Sequence, residues 1–191
     1  MIKLDILAIG SLKRDEEGKV YDAYSTSALI RTDERMIVVD TSTPFMKPAI
    51  RTSFKQIGVF PKDVDTIILT HSHHDHTGNN DMFENAAILM HPAEHGIVAG
   101  AKPLEVDKEI IPGIKIVHTP GHTEGSVSLF IKSDQKYVIA GDALPRHGNY
   151  EKMSPPAINV DPELALESIK MITKYADVVI PGHDPPFLVN R

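Results

Sequence analysis

The sequence predicts an α+β domain, and three observations lead there. Short β-branched runs recur along the chain, two amphipathic helical stretches interrupt them, and 191 residues suit one domain better than two. The first strand signals are Ile6 to Ile9, Ser27 to Ile30 and Met36 to Val39, and Thr32-Asp33-Glu34-Arg35 between the last two reads as a hairpin turn. Pro48 to Ile57 carries Ile50, Phe54 and Ile57 at helical spacing with Gly58 as a stop, after which Thr66 to Thr70 resumes as a buried strand. Beyond a histidine-rich loop come a short helix from Asn80 and a strand over Ala87 to Met90, while residues 91–103 carry no clear pattern.

Strands follow at Ile114 to His118, Val127 to Ile131 and Tyr137 to Ala140, then a loop rich in Pro, Gly and Met from Asp142 to Ile158. Asp161 caps and Pro162 opens an amphipathic helix that runs to Tyr175. A last strand, Val178 to Ile180, ends at Pro181-Gly182-His183. No tandem repeat, low-complexity tract or linker divides the chain, so a single domain over residues 1–191 is expected. Each polar constellation sits just after a buried apolar strand, where a rigid sheet can present a site on its loops.

Composition narrows the chemistry. The 26 acids against 20 Lys plus Arg give a net charge of −6, and the basic residues are scattered, which disfavours nucleic acid as a partner. There is no cysteine, so any transition metal must be held by nitrogen and oxygen. The apolar run near the N-terminus is too short for a signal peptide or a membrane span, which makes a cytoplasmic location the default expectation and a membrane partner unexpected. Nothing in the sequence sets the oligomeric state.

Residues 71–76, His-Ser-His-His-Asp-His, carry the strongest signal. If the chain leaves its strand extended, His71 and His73 lie on one side and can share a metal; where it begins to coil, Asp75 and His76 turn toward a neighbouring position. Neutral imidazoles are good ligands at pH 7, but one loop cannot complete two sites, because each ion needs about four ligands or three and a water. Further candidates stand at later strand ends: His122, Asp142 and His183, each preceded by a glycine that allows close approach. The seven form a two-metal site if His71, His73 and His122 serve one ion, Asp75, His76 and His183 the other, and Asp142 bridges. His74 reads as a bystander at the mouth, and His91, His95 and His147 as surface residues.

With HxHxDH at 71–76 and the segments TPGHT, GDA and PGH following in order, the chain resembles the metallo-β-lactamase superfamily, nearest to its small single-domain members. The resemblance implies an αββα sandwich of two mixed sheets with helices on the outer faces, a metal site at one edge, and the ligand distribution above. Asp142 stands where many true β-lactamases have cysteine, which argues against antibiotic hydrolysis. Only eight residues follow His183, so no helical C-terminal domain of the glyoxalase II kind is expected. Ser42 and Thr43 stand where many relatives have glycine.

The function expected is a binuclear-metal-dependent hydrolase, using two divalent ions, zinc first with iron or manganese as alternatives. A metal-bridging hydroxide would attack an ester-like bond of a small-molecule substrate, thioester or lactone, with Asp75 as the catalytic group orienting the nucleophile or relaying its proton. A metallo-ribonuclease or phosphodiesterase is the alternative; a non-hydrolytic di-iron redox or metal-binding protein is the second, weakened by the absence of a flavin-binding domain. Asp40 is expected to orient a ligand imidazole, His118 to lie behind or beside the site, and Arg146 and Tyr150 to face the substrate.

Overall fold

Alternation along the strands decides the layering. In the computed structural model, which describes residues 1–94 and 98–190, the strands are β1 (Lys3–Ala8), β2 (Ser11–Arg14), β3 (Val20–Tyr24), β4 (Ser27–Arg31), β5 (Met36–Val39), β6 (Thr66–Ile68), β7 (Ala87–Met90), β8 (Lys102–Pro103), β9 (Lys108–Ile111), β10 (Ile114–His118), β11 (Val127–Lys132), β12 (Lys136–Gly141), β13 (Val178–Pro181) and β14 (Phe187–Leu188). The helices are α1 (Lys47–Ile57), α2 (His74–Thr77), α3 (His147–Lys152) and α4 (Pro162–Tyr175).

One six-stranded sheet has the order β1-β4-β5-β6-β7-β8, the other β14-β13-β12-β11-β10-β9, and β2 pairs with β3 as a separate ribbon. Ala28, Ile30, Ile37, Val39 and Ile68 of the first sheet meet Ile114, Ile116, Val127, Leu129, Ile131, Ile139 and Ile180 of the second in one buried core. Intervening residues Leu29, Val38 and Ile67 point outward, where Ile50 and Phe54 of α1 cover them. Phe130, Val138, Ala140 and Val179 likewise pack beneath Ile169 and Ile172 of α4. The period-two pattern thus buries both faces of each sheet, giving helix, sheet, sheet and helix in turn.

Both long helices end where their sequences say. Gly58 closes α1 at φ 71°, a left-handed value that glycine takes without strain. Asp161 accepts the amides of Glu163 and Leu164 at 2.9 and 3.0 Å at the start of α4, a cap worth about 0.5–2 kcal/mol.

Two parallel strand pairs fix where the site falls. β5 pairs with β6 and β12 with β13 in parallel, so the carboxyl ends of both pairs lie side by side in their sheets. Asp40 and Thr70-His71 follow the first pair; Asp142 and His183 follow the second.

Three local expectations are corrected. The β2–β3 ribbon was not anticipated, the segment from Asp142 to Ile158 contains α3 rather than loop alone, and residues around 80 form a single 3-10 turn, Asn80–Met82. His95 lies outside the described residues.

Candidate metal centre

Local backbone geometry starts the site. Asp40 and Ser42 both adopt left-handed conformations, φ 53° and 57°, which a non-glycine residue takes only when its surroundings hold it there. They are held: Ser42 Oγ donates to the Ser25 carbonyl at 2.8 Å, Gly78 N donates to the Ser42 carbonyl at 2.7 Å, and Asn79 Nδ2 donates to the carbonyls of Thr41 and Thr43 at 2.7 and 2.6 Å. The loop after β5 is thereby locked to the end of α2.

Asp40 is buried and acts as a hub. Its carboxylate accepts Thr70 N at 2.8 Å, Thr70 Oγ1 at 2.7 Å and His76 Nδ1 at 2.7 Å. With its own proton committed to Asp40, Thr70 Oγ1 accepts from His71 Nδ1 at 3.1 Å. His122 Nδ1 donates to the Ile158 carbonyl at 2.8 Å, and His183 Nδ1 to the carbonyls of Tyr24 and Ser11 at 3.0 and 3.2 Å. Four imidazoles are thus pinned through Nδ1, which fixes the tautomer and directs each Nε2 toward the cluster, where that of His122 lies 3.1 Å from His73 Nδ1.

The ligand atoms converge. Three groups bring their ligand atoms within 4.8 Å of one another: His71 with His73 and His122, His71 with His76 and Asp142, and Asp75 with His76 and His183. Asp142 Oδ1 lies 3.2 Å from His183 Nε2 and 3.4 Å from His76 Nε2, while its Oδ2 lies 3.5 Å from His122 Nε2. Asp142 therefore stands between the groups. Close packing makes this approach feasible, since a Cβ on Gly182 would overlap Asp142 Oδ1.

His71 Nε2, His76 Nε2, His183 Nε2 and Asp142 Oδ1 are buried with no hydrogen-bond partner among the described residues. Each such atom costs about 1–3 kcal/mol, so four of them aimed together form a donor set that a cation would satisfy. Imidazole nitrogen and carboxylate oxygen suit divalent zinc, iron or manganese.

The charges on these groups are mutually dependent. Burial pushes the His76 imidazole down, but the carboxylates of Asp40 and Asp142 outweigh it and hold its pKa well above the ordinary histidine range. Burial would raise the Asp142 carboxyl, yet His183 and His76 hold it well below the usual carboxylate range. His71 is pushed well down by burial and by the charge on His76, and His73 is lowered by burial and His122.

A cleft of about 1060 Å³ opens beside this cluster, lined by Thr43, Pro44, His73, His74, Asp75 and Glu94 among others. Glu94 joins two loops: its carboxylate accepts Ser72 N at 2.7 Å, Thr123 Oγ1 at 2.6 Å and Gly125 N at 3.1 Å. Sequence reading missed Glu94 and Thr70. Adjacency to the motif could have drawn attention to Thr70; nothing local marks Glu94.

Tyr150 is a correction: its ring stacks on Phe187 at 5.3 Å and its hydroxyl accepts Asn190 N at 3.0 Å, which turns it away from the cluster. His118 also lies outside the cluster, donating Nε2 to the Glu124 carbonyl at 2.8 Å and stacking on His91 at 4.6 Å. Arg146 lines a second cavity that reaches His122 and Asp142. His147 packs on Phe187. Among the described residues, no helix is long and apolar enough to cross a membrane.

A two-sheet sandwich carrying a histidine and aspartate cluster at one edge defines a metallo-hydrolase type of protein. The chain belongs to the metallo-beta-lactamase superfamily, whose profile matches residues 20–183. It is 43% identical to "Probable metallo-hydrolase MJ0296" of Methanocaldococcus jannaschii, over 96% of this chain and 87% of that one. It is 34% identical to metallo-beta-lactamase domain-containing protein 1 of Xenopus laevis, covering 93% and 78%. An N-acyl homoserine lactonase of Bacillus thuringiensis is 30% identical, covering 87% and 84%. Among solved structures, a variant of B. thuringiensis AiiA with N-decanoyl-L-homoserine bound at its active site superposes with TM-score 0.76 at 26% identity, covering 95% and 92%. A Thermotoga maritima protein shares the fold at TM-score 0.80 and 20% identity, covering 98% and 99%.

Proposed function

We propose that the chain hydrolyses an ester-like bond in a small molecule, a lactone or thioester, with two divalent ions, zinc first, held by His71, His73 and His122 on one side, Asp75, His76 and His183 on the other, and Asp142 between. The observation that carries this reading is the set of buried, unpartnered ligand atoms converging beside an open cleft. Similarity to N-acyl homoserine lactonases over most of both chains supports the ester-like bond.

When bound, the ions would supply a water acidic enough to be a nucleophile near pH 7 and a Lewis acid for the carbonyl. The chain's own residues do the rest. Asp40 and Thr70 hold His76 and His71 in the tautomer that presents Nε2. Asp75, partly exposed at the cleft wall, would orient an attacking water and take its proton. The cleft admits the substrate from the side of His73 and His74.

Elemental analysis coupled to a panel of lactones, thioesters, phosphodiesters and β-lactams tests the reading. Zinc content with turnover of lactones or thioesters is the expected result, abolished in His71→Ala and Asp142→Ala with the fold intact. Turnover of phosphodiesters alone, iron with reversible bleaching, or undiminished rates in those variants would overturn it.

A further inference from the structure

Besides the large cleft, the cluster has a second approach with a different electrostatic character. A cavity of about 250 Å³ reaches His122 and Asp142, and its wall carries Arg14, Arg146, Asn149 and Ser154. Among the described residues, Asp142 is the one carboxylate in its lining. In a chain of net charge −6, two arginines against a single carboxylate, Asp142, in one small cavity are a local reversal of sign.

Among the described residues, Arg14 is positioned without an ion pair, and Arg146 keeps only a loose one. Arg14 Nη1 donates to the Gly18 carbonyl at 2.8 Å across the β2–β3 ribbon, and among the described residues it makes no ion pair. Asp15, Glu16 and Glu17 at the ribbon tip are not part of the cavity wall. Arg146 Nε stands 3.6 Å from Asp184 Oδ2, longer than a hydrogen bond, and that oxygen instead accepts His147 N at 3.0 Å. The opposite wall is fixed, because Asn149 Nδ2 donates to the carbonyls of Ser154 and Pro155, both at 3.1 Å.

We propose that this cavity is a subsite for an anionic group of the substrate, a carboxylate or a phosphate, carried within a few bonds of the scissile carbonyl; the proposal rests on the hydrolase reading above. Guanidinium groups present planar forks that match either anion. The volume accommodates such a group with a short carbon chain. The large cleft, with Asp75, Glu94 and Glu124 in its wall, would repel the same charge and so sets the substrate's direction.

The test uses zinc-loaded protein, the variants Arg14→Gln and Arg146→Gln and their combination, and matched thioesters and lactones ending in a carboxylate, a phosphate or an uncharged methyl ester. Each substitution is expected to lower kcat/KM on the preferred anionic substrate about tenfold and to change the uncharged one less than about twofold. Comparison of the carboxylate and phosphate arms identifies the anion. No loss on the anionic substrates, or an equal loss on all three, overturns the subsite. If wild-type protein hydrolyses none of them, the hydrolase reading fails, and calorimetry with succinate and inorganic phosphate decides the subsite alone. Binding abolished in the double variant supports it, whereas binding unchanged in that variant, or absent from wild type, refutes it.

Discussion

Glu94 couples the two loops that carry His71, His73 and His122, and its removal has a calculable effect. Glu94→Ala deletes the acceptor for Ser72 N, Thr123 Oγ1 and Gly125 N, at 2.7, 2.6 and 3.1 Å. A hydrogen bond to a charged group is worth about 1.5–3 kcal/mol, so three set an upper bound of roughly 4.5–9 kcal/mol. Glu94 is only partly buried at the cleft wall, where water replaces most of what is lost; a third of the bound, about 1.5–3 kcal/mol, is a reasonable share. Spent on ligand alignment, that corresponds to roughly 10- to 100-fold in metal affinity, the range usual for partners of ligand loops. Competition for zinc against a chromophoric chelator measures it, with circular dichroism to check the fold. Glu94→Gln keeps one amide oxygen as acceptor and should lose less, about 3- to 10-fold. Wild-type zinc affinity in a folded Glu94→Ala protein would refute the reasoning.

Asp40→Asn keeps an acceptor for Thr70 N but offers none with the carboxylate's charge to His76 Nδ1; zinc affinity should fall roughly 10- to 100-fold by chelator competition, since asparagine tolerates the left-handed backbone there. Gly182→Ala places a methyl group against Asp142 Oδ1, so elemental analysis should show reduced metal stoichiometry; full occupancy would contradict the packing described. In metal-free protein His76 keeps its proton above the ordinary histidine range, because Asp40 and Asp142 outweigh its burial. That proton must leave before Nε2 can ligate, so affinity should rise with pH through neutrality, by about tenfold per unit for one proton, and calorimetry in buffers of different ionisation enthalpy should count the release. Phe54→Ala empties the space under α1 and should cost about 3–5 kcal/mol, a fall in Tm of roughly 6–20 °C.

How much of this is legible in sequence depends on the range of the interaction. The seven candidate ligands could be singled out because each lies within a few residues of an apolar strand that the β-branched pattern marks, and the structure places them at one edge. The sandwich is legible for the same reason: Ala28 and Ile30 against Leu29, or Val127 and Leu129 against Phe130, need only alternation. The β2–β3 ribbon escaped notice because Ser11-Leu12-Lys13-Arg14 has no apolar run and its turn is acidic. Glu94 is silent because its partners lie 22, 29 and 31 positions away in a stretch without periodicity. Tyr150 was misplaced because the seven residues after Asp142 read as a path along the site, whereas α3 turns its ring onto Phe187 near the chain's far end.

The candidate ligands are divided between the two halves of the sandwich: His71 follows β6 of one sheet, while Asp142 and His183 follow β12 and β13 of the other. An ion held among them is a rivet across the seam, absent from the unfolded chain. Occupancy then feeds directly into the melting curve: free metal at 1,000 times its dissociation constant adds about 4 kcal/mol to unfolding. Thermal stability becomes a gauge of metal loading, and a chelator should soften the protein along the line where its halves meet.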